Sequence, residues 1–379
     1  MGDPYNYDLF QQIYCLSMAT GIVSNYEGPE ATLQAMLKQA LNKVLPQLTG
    51  NWSLSWGPRV YKETNQDSTE GGPDNVWFAA VDDTQKVCVF AIAGTASNSW
   101  ADIYQDFNVR EVVDFNAWVK LWSPQGIPEP EATDPNPEKE KDPTLPYCAK
   151  GTCVGVWNLL NNTSTEPSEG TRINQYLSSL DSSYTIVITG HSLGGALAPI
   201  VALGLDKAEL VGDHKVKVLP SAGVSPGNNI LAADYAAAFP RLEETPSGKS
   251  YEVYNTDYYN TFDIVPQAWS TDENDDRNLH NILDKILQSE GDFRKDVESY
   301  LDVAVGQSVA SKIRYTPLPG QSFTGPPPPV PVQSWDEVKL VLGEQHVLAY
   351  WDETGITEFI NIFDDKFSGQ AGAQVTKKK

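Results

Sequence analysis

The β-branched run Tyr184-Thr185-Ile186-Val187-Ile188-Thr189 stops at Gly190-His191-Ser192-Leu193-Gly194, and a helix-forming run from Leu193 to Leu205 begins at once. A short buried strand that turns into a helix within one or two residues is half of a βα unit, which restricts the chain to folds built on parallel strands. The rest of the pattern agrees. Val76 to Val81 and Lys86 to Ala93 read as two strands of a hairpin across Asp82-Asp83-Thr84-Gln85. Lys215 to Leu219 and Tyr251 to Tyr254 read as further strands, and Glu30 to Leu48 has apolar residues at helical spacing. The expected fold class is α/β, with a mainly parallel sheet covered by helices on both faces. Pro199, inside the second half of the βα unit, should remove one helical hydrogen bond and bend the helix.

The 379 residues read as a single domain, 1–379, with two interruptions. The first is a loop rich in proline and charge, 123–147, which can form neither regular helix nor central strand. The second, 268–345, is helical over Leu279 to Leu287 and Asp296 to Val305. It then passes through Gly325-Pro326-Pro327-Pro328-Pro329-Val330-Pro331, an extended connector in preference to a peptide ligand.

Charge narrows the function. The formal net charge of −23 argues against nucleic acid, whose phosphates need a basic face, and against simple electrostatic docking on anionic membranes. No stretch approaches the roughly 20 apolar residues of a membrane span. The first residues show no secretory signal, as those of a mature secreted chain would not, and a secreted location is the favoured expectation. Cys15 and Cys88 read as small buried hydrophobes. Cys148 and Cys153 match no zinc or redox spacing, and both a local disulfide and two free thiols remain open.

Gly-x-Ser-x-Gly is a weak signal alone, but between a buried strand and a helix it holds a serine on a strained, exposed turn. The helix N-terminus favours negative charge there, and the Leu193 amide is placed to donate to an oxyanion. A second match, Gly223-Val224-Ser225-Pro226-Gly227, puts proline after its serine. Proline has no N–H, so Ser225 reads as a structural turn.

With these pieces the chain resembles the class 3 lipases, the group of the fungal triacylglycerol lipases, which have the α/β-hydrolase fold. The resemblance rests on Gly190-His191-Ser192-Leu193-Gly194-Gly195-Ala196-Leu197-Ala198 and on Gly94-Thr95 followed by Ser99-Trp100-Ala101-Asp102. Ser225-Pro226-Gly227-Asn228, Asp263-Ile264-Val265-Pro266, and His346 with Tyr350-Trp351 complete it. The chain departs from the family in having Ala93 before the oxyanion glycine, no His-x-Gly-Phe near Lys150 to Gly155, and a long stretch between Asp263 and His346.

A serine nucleophile needs a base, and the base needs an acid to fix its tautomer. In the α/β-hydrolase order both follow the serine. His191 sits on the serine's own turn and is expected to point elsewhere, and His214 precedes every acid candidate. His280 and His346 remain, and the resemblance places the family's histidine at His346. Asp263, at a strand end before Pro266, is the favoured acid, with Asp257 as rival. The resemblance also implies Thr95 as second oxyanion donor beside Leu193, and a lid over Trp100, Ile103, Tyr104 and Phe107. An ordinary core helix explains that periodicity equally well.

The implied activity is hydrolysis of a carboxylic ester without metal or organic cofactor. A lipid or small ester, above all an acylglycerol, would be met at a lipid–water interface. Phospholipase A1, a feruloyl or carbohydrate esterase, and a catalytically silent lipase-like binding protein are the alternatives. Acyl-chain preference and oligomeric state stay open.

Overall fold

The computed structural model describes residues 6–94, 108–134, 139–244, 248–361 and 376–377. Its central sheet has seven strands, lying side by side in chain order. They are β1 (Trp52–Tyr61), β2 (Asn75–Asp82), β3 (Val87–Ile92), β4 (Thr185–His191), β5 (Lys215–Ser221), β6 (Asp257–Asn260) and β7 (Gly320–Phe323). β1, β2 and β3 pair antiparallel, β2 and β3 forming the expected hairpin, and every pairing from β3 to β7 is parallel.

Both faces of the sheet are buried, which explains why β3 reads as an unbroken apolar run. Val87, Val89 and Ala91 point to one face, and Cys88, Phe90 and Ile92 to the other, as the two-residue period of a strand requires. Helices α1 (Leu9–Ala19) and α2 (Glu30–Val44) cover the first face through Ile13, Leu16, Leu33, Leu37 and Leu41. Helices α3 (Lys150–Asn161) and α4 (Leu193–Lys207) cover the second through Val156, Leu159, Leu197 and Val201. Pro199 is accommodated inside α4 without ending it. Between Ser123 and Pro146 the described residues form turns and a single two-residue bridge.

A third apolar cluster lies at the end of the sheet where α4 begins. It joins Ala196 of α4 to Ile264 and Trp269 after β6, and to residues of α5 (Gly291–Ala310) and α6 (Trp335–Gly343). Leu279, Ile282, Leu283, Ile286 and Leu287 all enter it, so their helical spacing is genuine, although the backbone over Ile282–Leu287 winds as a π-helix.

Two sequence expectations change. Tyr251 to Tyr254 is not a strand. Tyr254 makes only an isolated bridge with Leu242, and the sheet strand begins at Asp257. Burial of Tyr251, Val253 and Tyr254 accounts for the misleading apolar run. Cys148 and Cys153 are both free and buried, settling that open question toward two thiols.

One ion pair ties β6 to the segment that follows it. The Arg277 guanidinium donates to Asp257 Oδ2 at 2.5 Å and to the Leu318 carbonyl, and lies 4.4 Å from the Tyr259 ring centre. Asp257 Oδ1 accepts from the Gly223 amide at 3.0 Å. Both side chains are almost fully buried. Burial pushes the Asp257 carboxyl up, and the guanidinium opposes that rise. Removing one partner of such a pair strands the other charge without water. Arg277→Ala should therefore lower unfolding stability by about 3–5 kcal/mol in urea titration, whereas Lys295→Ala, at an exposed pair, should leave the midpoint unchanged.

Candidate active site

β4 ends at His191, and Ser192 caps α4 with φ 61° and ψ −124°, a backbone conformation that L side chains rarely adopt. The surroundings impose it. The Ser192 amide donates to the Ser221 carbonyl at the end of β5 at 2.9 Å, and the Ser192 carbonyl accepts from Ala196 at 3.2 Å. The neighbouring glycines are required by backbone contact. A Cβ on Gly190 would fall 2.4 Å from the Gly194 backbone, one on Gly194 would fall 2.3 Å from the Ile92 carbonyl oxygen, and one on Gly195 would fall 2.2 Å from that of Ser221. Leu193 opens α4, where the amides lack intrahelical acceptors and carry the positive end of the dipole.

Asp263 lies three residues past β6, fully buried. Its Oδ1 accepts from the Val265 amide at 2.9 Å. Its Oδ2 accepts from the Tyr350 hydroxyl at 2.9 Å and from His346 Nδ1 at 2.7 Å. An ionised carboxylate only accepts, so His346 carries its proton on Nδ1 and leaves Nε2 as an acceptor. Burial and the nearby Asp263 charge hold the Tyr350 hydroxyl well above its usual range, so it stays a donor. His346 and Ser192 line one cavity of about 430 Å³, together with Gly94, His191, Met18, Leu342 and Val347.

The His346 segment, Glu344–Leu348, is π-helical and pinned on both sides. Asn260 Nδ2 donates to the Gln345 carbonyl and side chain at 3.0 and 2.8 Å, and the Asn260 amide donates to the Tyr350 hydroxyl at 2.9 Å. Gln345 Nε2 in turn donates to the Pro326 carbonyl at 2.8 Å.

His191 does not point elsewhere, contrary to expectation. Its ring centre lies 4.7 Å from that of His346 and 4.9 Å from that of Tyr350. Nε2 is 2.8 Å from the His346 carbonyl oxygen, and Nδ1 is 3.0 Å from Ser221 Oγ. A carbonyl only accepts, so Nε2 bears the proton and Nδ1 accepts from Ser221. Burial, with His346 adding to it, pushes the His191 pKa well below the usual histidine range.

The other residues fall into place around this centre. His280 is exposed, and its amide accepts no role in the cavity, donating instead to Asn278. His214 sits beside the Tyr184 carbonyl at the far end of β4. Asp257 is committed to Arg277. The second Gly-x-Ser-x-Gly is a buttress: a Cβ on Gly223 would fall 2.8 Å from the Gly195 backbone, and Ser225 is buried with its amide on the Ala268 carbonyl. Thr95, Trp100, Ile103, Tyr104 and Phe107 lie outside the described residues. Asn260, Gln345 and Tyr350 were not singled out as site residues. Only Tyr350 left a trace, four residues after His346 on a helical face.

Residues 147–272 match the family described as Lipase (class 3), a span that contains Ser192 and Asp263 and ends before His346. No curated protein matches the chain. Among solved structures, the M37 lipase is 20% identical, with 94% of this chain and 95% of that one covered at a TM-score of 0.67. The LIP2 lipase of Yarrowia lipolytica is 20% identical over 68% of this chain and 73% of its own, at a TM-score of 0.42. Lipase II from Rhizopus niveus is 16% identical over 68% and 74%, at 0.38. The M37 lipase likeness carries the fold. No helix among the described residues is long and apolar enough to cross a membrane. The chain has the α/β-hydrolase fold, and its residues 147–272 are similar to the class 3 lipase family.

Proposed function

We propose that the protein hydrolyses carboxylic esters of apolar acyl chains, acylglycerols foremost, through an acyl-enzyme on Ser192. The buried hydrogen bond from His346 to Asp263, on a cavity that Ser192 also lines, is the observation that carries this reading. His346 Nε2 takes the Ser192 hydroxyl proton as Oγ attacks the ester carbonyl. Asp263 holds the imidazole in the productive tautomer and stabilises the imidazolium that forms. The tetrahedral oxyanion accepts from the Leu193 amide and from Thr95. Gly94 supports the second donor, because it approaches until a Cβ would come 2.9 Å from Ser192 Cβ. His346 then protonates the leaving alcohol, and water, activated by the same histidine, releases the acid. Met18, Leu342 and Val347 give the cavity apolar wall for an acyl chain. The solved structure similar in fold over most of the chain is named as a lipase, which favours lipid esters over aryl-carbohydrate esters.

Hydrolysis of p-nitrophenyl esters from acetate to palmitate tests the proposal. Ser192→Ala and His346→Ala should each lose about 10⁴-fold or more in kcat while remaining folded, and His280→Ala should keep wild-type rates. Activity surviving in Ser192→Ala would sink the assignment, and inactivity of wild type on every chain length would favour a silent binding protein. Asp263→Asn should cost about 10⁴-fold in kcat by favouring the wrong tautomer, whereas Asp257→Asn should act on stability and leave the kcat of the folded fraction intact. Ser192→Gly, which removes the penalty of a positive φ, should abolish activity and raise stability by about 1 kcal/mol.

A further inference from the structure

His191, a partly buried titratable group beside the reacting residues, has no task in the proposed mechanism. We propose that His191 is a positioning residue for His346: as a neutral ring protonated on Nε2, it ties the strand that presents the nucleophile to the backbone of the residue that serves as base. The inference rests on the reading of Ser192 and His346 as nucleophile and base.

The geometry is specific. His191 immediately precedes Ser192, yet its Nε2–H reaches across 155 residues of sequence to donate to the His346 carbonyl at 2.8 Å. Its other nitrogen is engaged by the Ser221 hydroxyl at 3.0 Å, and Ser221 is also the residue whose carbonyl holds the Ser192 amide. Nucleophile, supporting strand and base turn thus share one imidazole. The ring lies against that of His346 with centres 4.7 Å apart and planes tilted by 36°. The carbonyl it binds belongs to a π-helical turn, a backbone form that lacks the regular i→i−4 ladder and so gains from an outside anchor. Asn260 performs the matching task one residue earlier, on the Gln345 carbonyl.

Neutrality matters as much as position. The groups facing the His191 ring are His346 and Tyr350 from the C-terminal segment and Ser221 from β5, with the Asp263 carboxylate behind His346 and Lys339 on the cavity wall. His346 must become an imidazolium during each acyl transfer. A protonated His191 would then set like charges side by side and lose the Ser221 bond, since an imidazolium has no acceptor nitrogen. A phenylalanine would fill the space but hold nothing.

Two measurements test the inference on the full chain. In the first, kcat is measured per serine titrated with a fluorophosphonate for wild type, His191→Phe and His191→Gln. His191→Phe should lose about tenfold or more in kcat at unchanged KM, in keeping with the cost of ångström-scale misplacement. His191→Gln, whose amide still donates to the carbonyl, should recover most of the loss. Wild-type kcat in His191→Phe, or a glutamine variant no better than phenylalanine, overturns the proposal. In the second, nitrogen-15 NMR of labelled histidines reads His191 directly. A neutral Nε2–H tautomer persisting well below the ordinary histidine range supports the wiring, and an Nδ1–H tautomer or ordinary titration at about pH 6.5 refutes it. The NMR result does not depend on ester hydrolysis. A wild-type chain with the expected tautomer but no turnover and no labelling would overturn the esterase reading and not the hydrogen bonds of His191.

Discussion

Three strand ends and one helix start converge at a point where there is no volume for a side chain. The backbone of Ile92 leaving β3, of Ser221 leaving β5, and of the first turn of α4 approach Gly190, Gly194 and Gly195 so closely that any Cβ would fall 2.2–2.4 Å from another backbone atom. Such distances lie far inside contact, so the arrangement exists only with glycine at those positions. Ser192 is the residue left between them. Its positive φ costs of order 1–3 kcal/mol, and the packing that enforces it is the same packing that lays α4 across the parallel sheet. Ser192, the proposed nucleophile, is therefore held by the construction of the sheet itself, with the apolar cluster around Ala196 and Trp269 packed beside it.

The elements that could be read from sequence are those whose signal is local. β2, β3, β4, β5, α2 and α4 each have their period written in consecutive side chains, because each packs a regular face against a large core. The strand, turn and helix around Ser192 were legible because they are contiguous, whereas Asp263 was picked for lying behind the run Tyr251 to Tyr254 and before Pro266, and in the structure it follows β6 instead. Other features depend on contacts between distant segments. Tyr251, Val253 and Tyr254 look like a strand because they are buried, but burial alone does not bring a ladder partner, and Leu242 supplies only a bridge. His191 was set aside on the argument that a strained turn sends adjacent side chains to different sides. That argument fixes its direction relative to Ser192 but says nothing of what arrives there from residue 346. Asn260, Gln345 and Tyr350 hold the site through partners 85 to 90 residues away, and no periodicity encodes such partners.

Two fully buried aspartates, six residues apart in sequence, show how environment divides one side-chain chemistry into two roles. Asp257 meets Arg277, a fixed cation that does not give up its proton at any ordinary pH. The pair can hold β6 to the segment behind it, but it cannot participate in a cycle of protonation. Asp263 meets an imidazole and a phenol instead, with the Val265 amide on its other oxygen. Both carboxylate oxygens of Asp263 accept from donors, and of those three donors only the His346 imidazole is of a type that can carry a full positive charge. In the proposed reaction a carboxylate so arranged would be stabilised by hydrogen bonds at the start and would gain a full countercharge as the base is protonated, which is the differential stabilisation that general-base chemistry needs. Placing a guanidinium at Asp263 would neutralise that gain in advance. Among the described residues, the deeply buried arginine pair sits on the neighbouring carboxylate, where it orders the β6 end and leaves the Asp263 oxygens to the imidazole that the proposed mechanism uses as base.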